Sequence, residues 1–422
     1  MTPPNGTFPR NSVATRFGDT EQMGVIFLAA HVLIFLSWAL ALAWLWQAVA
    51  ALRGMPNLPD LTRIDPDPLP PLPSESDPHL TVIVPACNEE ASIQATLRSL
   101  LASTGLRLEI IAVNDRSTDH TAERMNEVAA EAAAPHTLRV IHLSDLPPGW
   151  LGKPHAMALA AQQASAPWLL FTDADLVFQP RALSLAMREA LALHADHLVL
   201  VPTLILKTTG ERAMLSAMQV LAQWTIRLWK VADPRARDFI GVGGFNLVRR
   251  SVYVQVGGFE ALRMEVLDDL RFGWKIKRAG FAQRIVLGPG LARIRWINGA
   301  LAVVRLVEKN GFAIYRYRVW LLLLACLGLA VQAVVPLAAM ALGGWIALSG
   351  LLTYVAIGLV YTANRRVTQV SPAMALFFAP ASAIVIFALL RSMILALVRN
   401  GVEWRGTRYP LRELRRHAGS DW

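Results

Sequence analysis

Three stretches of this 422-residue chain carry almost no charge, and they constrain its fold more than any other feature. Residues 23–51 and 319–363 contain no Asp, Glu, Lys or Arg, and residues 371–398 contain Arg391 alone. A bilayer-spanning helix needs about 20 apolar residues. The first stretch fits one helix, and the second fits two with a turn near Gly343-Gly344. The chain is 54% hydrophobic and 17% charged, against about 25% charged in soluble domains. Ala48-Val49-Ala50 resembles a signal-peptidase site. However, the apolar part before it is longer than the roughly 7–15 residues of a signal core, and Trp38, Trp44 and Trp46 suit an interfacial belt. The expectation is an uncleaved anchor over residues 23–52.

Net charge is +10, and its placement says more than its size. Between residues 293 and 318, Arg293, Arg295, Arg305, Lys309, Arg316 and Arg318 stand against Glu308 alone. The tail, residues 399–422, holds six arginines against Glu403, Glu413 and Asp421. Both basic stretches adjoin apolar ones, which fits the positive-inside rule and anionic headgroups. No helix-turn-helix pattern, zinc spacing or aromatic-basic stacking surface is present, so nucleic acid is not an expected partner. The two cysteines, Cys87 and Cys326, imply no disulfide framework and a reducing compartment for the polar part.

Taken in order, residues 1–22 are polar and read as a disordered N-terminus. Residues 53–79 contain Pro66, Pro68, Pro70, Pro71 and Pro73 and read as a semi-rigid linker. Strand-like runs at 80–84, 108–113, 138–143, 168–172 and 197–202 alternate with helical periodicity at 89–101, 118–134, 153–164 and 180–194. That alternation predicts βαβ units and an α/β, mostly parallel sheet over residues 80–292. Residues 211–231 read as one long helix, and Gly241-Val242-Gly243-Gly244 marks a close approach of backbone to a ligand or a packing neighbour.

In parallel sheets ligands bind at the carboxyl ends of the strands. Pro85-Ala86-Cys87-Asn88-Glu89, Asp115 and Asp173-Ala174-Asp175 all fall at such ends. Asp173 and Asp175 share one face of an extended chain, so both can point at one cation. Oxygen ligands of this kind suit Mg²⁺ or Mn²⁺, usually with a phosphate; alone, the pair reads equally as two solvated loop aspartates. Asp268-Asp269 starts a helix, where acids are favoured by the dipole. Lys153, at another helix start, reads equally as a phosphate contact or a solvated lysine. His155 reads as structural.

Together these residues resemble family 2 glycosyltransferases of the GT-A fold. The resemblance rests on Pro85-x-x-Asn88-Glu89, Asn114-Asp115-Arg116-Ser117-Thr118-Asp119, Thr172-Asp173-Ala174-Asp175, Asp268-Asp269 and Arg295-Trp296. Residues 147–153 and the tail Trp404-Arg405-Gly406-Thr407-Arg408-Tyr409 are similar to a membrane-anchored branch that includes hopanoid-associated and carotenoid glycosyltransferases. The resemblance implies that Pro85, Asn88, Glu89 and Asp115 line the nucleotide pocket. Asp173 and Asp175 would hold Mn²⁺ or Mg²⁺ against the diphosphate of a UDP- or GDP-sugar. Asp269, beside Asp268, would be the catalytic base, with Arg295 and Trp296 near the diphosphate and acceptor. Processive members carry Gln or Arg three residues before the Arg-Trp pair. Ala292 stands there, which favours transfer of a single sugar.

A multi-pass protein of the cell inner membrane follows, with a cytoplasmic catalytic unit, a basic juxtamembrane segment over 293–318 and a hairpin over 319–363. A full span over 371–398 would place the basic tail outside, and an Arg at mid-membrane is costly. That segment is therefore expected to be re-entrant, kinked or partly interfacial, with an ordinary span as the alternative. A lipid acceptor is the expected substrate. The competing readings are a processive polysaccharide synthase and a catalytically inactive membrane scaffold.

Overall fold

The computed structural model describes residues 14–65 and 79–418. The proline cluster from Pro66 to Pro73 lies outside the described residues. Helix α1 (Ala14–Gly54) starts nine residues before the expected anchor, and no proline interrupts its sequence. The α/β layer follows as β1 (Leu80–Ala86), α2 (Ile93–Leu101), β2 (Leu108–Asp115), α3 (Thr121–Glu131), β3 (Thr137–Leu143), α4 (Gly152–Gln162), β4 (Trp168–Phe171), β5 (Leu176–Phe178), α5 (Ala182–Ala192), β6 (His197–Leu200), β7 (Thr203–Leu204), α6 (Thr209–Ala222), β8 (Asn246–Arg249), α7 (Arg250–Gln255), α8 (Asp268–Arg278), β9 (Gln283–Val286) and β10 (Ala292–Ile294). Then come α9 (Ala302–Ile314), α10 (Val319–Leu342), α11 (Gly344–Ala363), α12 (Arg365–Thr368), α13 (Phe378–Val398), β11 (Gly401–Trp404), β12 (Thr407–Pro410) and α14 (Leu411–His417).

The seven-stranded sheet runs β3-β2-β1-β4-β8-β6-β9. Its pairs are parallel except those of β8, which lies antiparallel between β4 and β6. Strands β1 and β2 are buried on nearly all sides because helices cover both faces, which is why they read as unbroken apolar runs. One core lies on each face. Val82, Val84, Ile110 and Leu170 pack towards α2 and α5, and Ile83, Ile111, Val113 and Phe171 towards α4 and α8.

The expected domain limit at 292 falls inside β10, which pairs with β5 and β7 in a second sheet. The fold therefore continues into the basic segment. The helix expected over 211–231 ends at Ala222 instead. It starts at a full capping box between Thr208 and Glu211. Past its end, Arg227 gives its amide to Asp238 at 2.7 Å, which turns the chain away.

Among the described residues, four helices are long and apolar enough to cross a membrane: 27–57, 319–342, 344–363 and 372–398. The turn at Gly343-Gly344 has both glycines at positive φ. Leu323, Leu324, Leu327 and Val334 on α10 are exposed. Helix α13 packs on α1, α6 and α9. Phe378 packs with Trp44 and Val220, and Ser392 bonds the Glu308 carbonyl of α9 at 2.7 Å. The tail is not a loose basic extension. Residues 401–410 form a β-hairpin whose Val402 and Tyr409 join the core between α6, α9 and α13.

Candidate active site

The carboxyl ends of β1, β2 and β4 open on one rim. Because β8 runs antiparallel, the glycine run before it reaches the same rim: Phe171 pairs with Asn246, and the Thr172 hydroxyl donates to the Gly244 carbonyl at 2.8 Å. A cavity of about 780 Å³ lies there. Of the residues singled out in the sequence, Pro85, Glu89, Asp115, Lys153, Asp173, Asp175, Asp268, Asp269 and Trp296 line it.

Lys153, in the first turn of α4, is the electrostatic centre. Its ammonium is 2.5 Å from Asp173 Oδ1 and 3.7 Å from Asp268 Oδ2. Burial disfavours its charge, but Asp173, Asp268 and Asp269 together raise its pKa and keep it protonated. Asp268 is buried, and burial pushes its carboxyl up to about 6 even with Lys153 beside it. Asp269 is fixed by backbone: Oδ2 accepts from the Gly243 amide and Oδ1 from the Leu270 amide, both at 2.7 Å. Asp175 Oδ1 is buried with no hydrogen-bond partner. Burial, then repulsion from Asp173 and Glu89, pushes that carboxyl up to about 7. A buried, unpartnered carboxylate oxygen beside a second carboxylate fits a cation. Among the described residues, no three His, Cys, Asp or Glu side chains are arranged to hold a metal ion on their own. A metal here would take Asp173 and Asp175 and find its other ligands outside the protein, as Mg²⁺ commonly does with phosphate and water.

The glycines are set by these carboxylates. A Cβ on Gly243 would lie 2.7 Å from Asp173 Oδ2 and 3.2 Å from Lys153 Nζ, and one on Gly152 would lie 2.1 Å from Asp115 Oδ2. The close approach read from the glycine run is therefore an approach to the site itself.

Two expected pocket residues are elsewhere. Asn88 does not line the cavity. At φ 56°, it clasps two loops, its Oδ1 accepting from the Thr118 amide at 2.8 Å and its amide donating to Ser117 Oγ at 3.0 Å. Arg295 is not at the cavity either. It forms a bidentate pair with buried Glu211 (3.0 and 2.8 Å) and donates to the Ile205 carbonyl at 2.7 Å. Glu211 also accepts from the Lys207, Thr208 and Gly299 amides. Burial opposes its ionisation, but Arg295 and these amides hold its carboxyl down to about 2. Arg295 thus clamps the start of α6 to the loop after β10.

Other groups at the cavity were not anticipated. Arg116 pairs with Asp115 at 2.8 Å. From the C-terminal hairpin, Trp404, Arg405 and Tyr409 reach the cavity, Arg405 pairing with Glu89 and donating to the Asn88 carbonyl at 3.1 Å. Lys309 of α9 lies over the Trp404 ring, 3.5 Å from its centroid. The motif around Trp404 was visible, but nothing local showed that the tail folds back. Leu215 and Met218 of α6 and Leu306 of α9 also line the cavity and give it apolar surface. These helices pack on α13 and on the start of α10.

Residues 81–270 match the model of glycosyl transferase family 2. Curated relatives include the 4,4'-diaponeurosporenoate glycosyltransferases of Staphylococcus aureus strain USA300, 25% identical over 199 residues, and strain MRSA252, 26% identical over 199 residues. Each match covers 46% of this chain, and the chain spans about 50% of those relatives' length. Among solved structures, the mannosyltransferase PcManGT from Pyrobaculum calidifontis, in complex with GDP-Man and Mn²⁺, superposes with a TM-score of 0.53. It is 19% identical, with 86% of this chain and 99% of that chain covered; the likeness is one of fold. Residues 81–270 thus match the glycosyl transferase family 2 model, and the sheet order and superposition give the chain a GT-A-like fold.

Proposed function

We propose that the chain is a membrane-bound, metal-dependent, inverting glycosyltransferase that moves one sugar from a nucleotide sugar to a lipid hydroxyl. The observation that carries this reading is the mixed character of the cavity. Its lining combines Asp173, Asp175, Asp268, Asp269 and Lys153 with Leu215, Met218 and Leu306, the apolar three standing on helices α6 and α9 that pack against apolar α13. A polar donor fits the charged residues, and an apolar acceptor arriving from the bilayer fits the apolar ones.

Pro85, Glu89 and Asp115, with Arg116, bind the nucleoside part. Asp175 and Asp173 would hold Mn²⁺ or Mg²⁺, and a metal bound there would supply positive charge to a leaving diphosphate. Lys153 orients Asp173 and screens it from Asp268. Asp269, fixed by the Gly243 and Leu270 amides, takes the proton from the acceptor hydroxyl. The hydroxyl oxygen attacks the anomeric carbon opposite the diphosphate, so the configuration inverts. Trp296 stands at the acceptor side. Arg295 acts on structure, by clamping α6. Ala292, where processive members carry Gln or Arg, supports single transfer.

The catalytic domain lies at the cytoplasmic face of the cell inner membrane. Helices α1, α10 and α11 cross, and α13, one unbroken helix from Phe378 to Val398, lies along the interface without crossing. The support for that topology is that Phe378 at one end of α13 and the hairpin beyond its other end both contact the catalytic domain.

The test is transfer by purified membranes from labelled UDP- and GDP-sugars. The reading predicts label in the organic phase on a product carrying one sugar per lipid. Water-soluble polymer would favour a polysaccharide synthase, and no transfer from any donor would favour an inactive scaffold.

A further inference from the structure

We propose that Lys309, seated on Trp404 of the C-terminal hairpin, is the side-chain cation that receives the donor's β-phosphate. The inference rests on the donor reading above and gives one position in the site to a residue outside the matched domain.

The argument begins with charge accounting at the cavity. Five cations line it: Arg116, Lys153, Arg305, Lys309 and Arg405. Three are committed, Arg116 to Asp115, Lys153 to Asp173 and Asp268, and Arg405 to Glu89. The arginine that sequence placed at the diphosphate, Arg295, is committed to Glu211. Among the described residues, Arg305 and Lys309 have no ion-pair partner, and Arg305 is exposed. Lys309 is the inner one. The charged groups that face it are Asp268, Lys153, Asp269 and Asp173, so it looks into the carboxylate cluster from the α9 side without pairing there.

The hairpin explains how an unpaired ammonium is kept at that spot. Trp404 lies beneath Lys309 with Nζ 3.5 Å from the ring centroid, a cation–π contact that holds the charge while leaving its N–H donors free. The hairpin is in turn tied down at two further points: Arg405 on Glu89 and the Asn88 carbonyl, and Tyr409 in the core with Val402 and Leu411. Burial pushes the Lys309 amine down to about 8, which leaves it charged at neutral pH. An ammonium with free donors, lining the same cavity as the metal-site carboxylate Asp173 and near Asp268 and Asp269, is placed for an anion bound at that site. As the bond from the anomeric carbon to the β-phosphate oxygen breaks, the electron pair stays on that oxygen. Lys309 donates a hydrogen bond to it and remains protonated. Trp404 is a positioning residue.

The test is equilibrium binding of UDP, GDP, UMP and GMP, with Mn²⁺, to the purified full-length protein. Lys309→Ala is expected to weaken binding of the preferred diphosphate about 10- to 100-fold, the range of one charge-assisted hydrogen bond. The matching monophosphate should bind as it does to the wild type, and Lys309→Arg should restore most of the loss. Trp404→Phe should keep diphosphate affinity and Trp404→Ala should lose part of it. Equal losses for mono- and diphosphate, or wild-type diphosphate affinity in Lys309→Ala, would overturn the inference while leaving the donor site intact. Unchanged diphosphate affinity in Trp404→Ala would remove the positioning role. A wild-type protein that binds neither UDP nor GDP would instead overturn the donor reading, and the inference with it.

Discussion

Arg295→Ala separates a structural arginine from a catalytic one. The substitution removes two charge-assisted hydrogen bonds, at 3.0 and 2.8 Å, from a carboxylate that is only 1% exposed. Truncating one partner of a fully buried pair costs about 3–5 kcal/mol. Two features lower that figure here. The Lys207, Thr208 and Gly299 amides still satisfy Glu211, and Arg295 is 25% exposed, so solvent screens part of the pair. The net expectation is a loss of about 2–3 kcal/mol, or an apparent melting temperature lower by about 4–12 °C for a domain of this size. Arg295→Lys should recover little of it, because an ammonium cannot reproduce the bidentate geometry. The pH dependence has a definite sign. The Glu211 carboxyl sits at about 2 in the fold against an ordinary 4.5, so its contribution is complete above about pH 4.5 and fades as pH falls towards 2. The assay is thermal unfolding of detergent-purified protein, paired with initial rates at a permissive temperature. The rates should fall less than about tenfold, whereas loss of a direct transition-state contact costs about 10²–10³ in kcat. Unchanged melting with a hundredfold lower kcat would refute the structural assignment and return Arg295 to the active site.

Two further outcomes are expected. Gly243→Ala places a methyl group 2.7 Å from Asp173 Oδ2 and 3.2 Å from Lys153 Nζ. Both are ends of mobile side chains, so stability should fall by less than about 1 kcal/mol while donor affinity or kcat drops at least about tenfold; wild-type kinetics would show that this glycine does not crowd the site. A C-terminal tag should resist impermeant labelling in intact cells and become reactive after permeabilisation, because α13 keeps the chain on the catalytic side. Labelling of intact cells would show that α13 crosses.

The legible part of the fold was its central parallel half. Strands β1, β2 and β4 are short apolar runs ending near Pro85, Asn114-Asp115 or Asp173, and the carboxyl-end rule then brought Glu89, Asp115, Asp173 and Asp175 to one rim. In the opposite half of the sheet only β6, within the strand-like run at 197–202, was legible. Strands β8 and β9 are four residues each, and their strand state comes from partners far along the chain. Arg295 was misplaced for the same reason: Glu211, 84 residues upstream, is a tertiary partner that no local pattern reveals. The tail misled through composition, since its arginines masked the alternation of Val402, Trp404, Thr407 and Tyr409 that folds the hairpin onto the cavity.

The most direct test of the central claim is the initial rate of sugar transfer by the purified full-length protein in lipid nanodiscs, with and without EDTA, for the wild type, Asp175→Ala and Asp269→Asn. The account predicts metal-dependent transfer to lipid in the wild type. It predicts a loss of at least about 10² in each variant, since one removes a ligand of the leaving-group cation and the other the base. Metal-dependent transfer that survives both substitutions would contradict it.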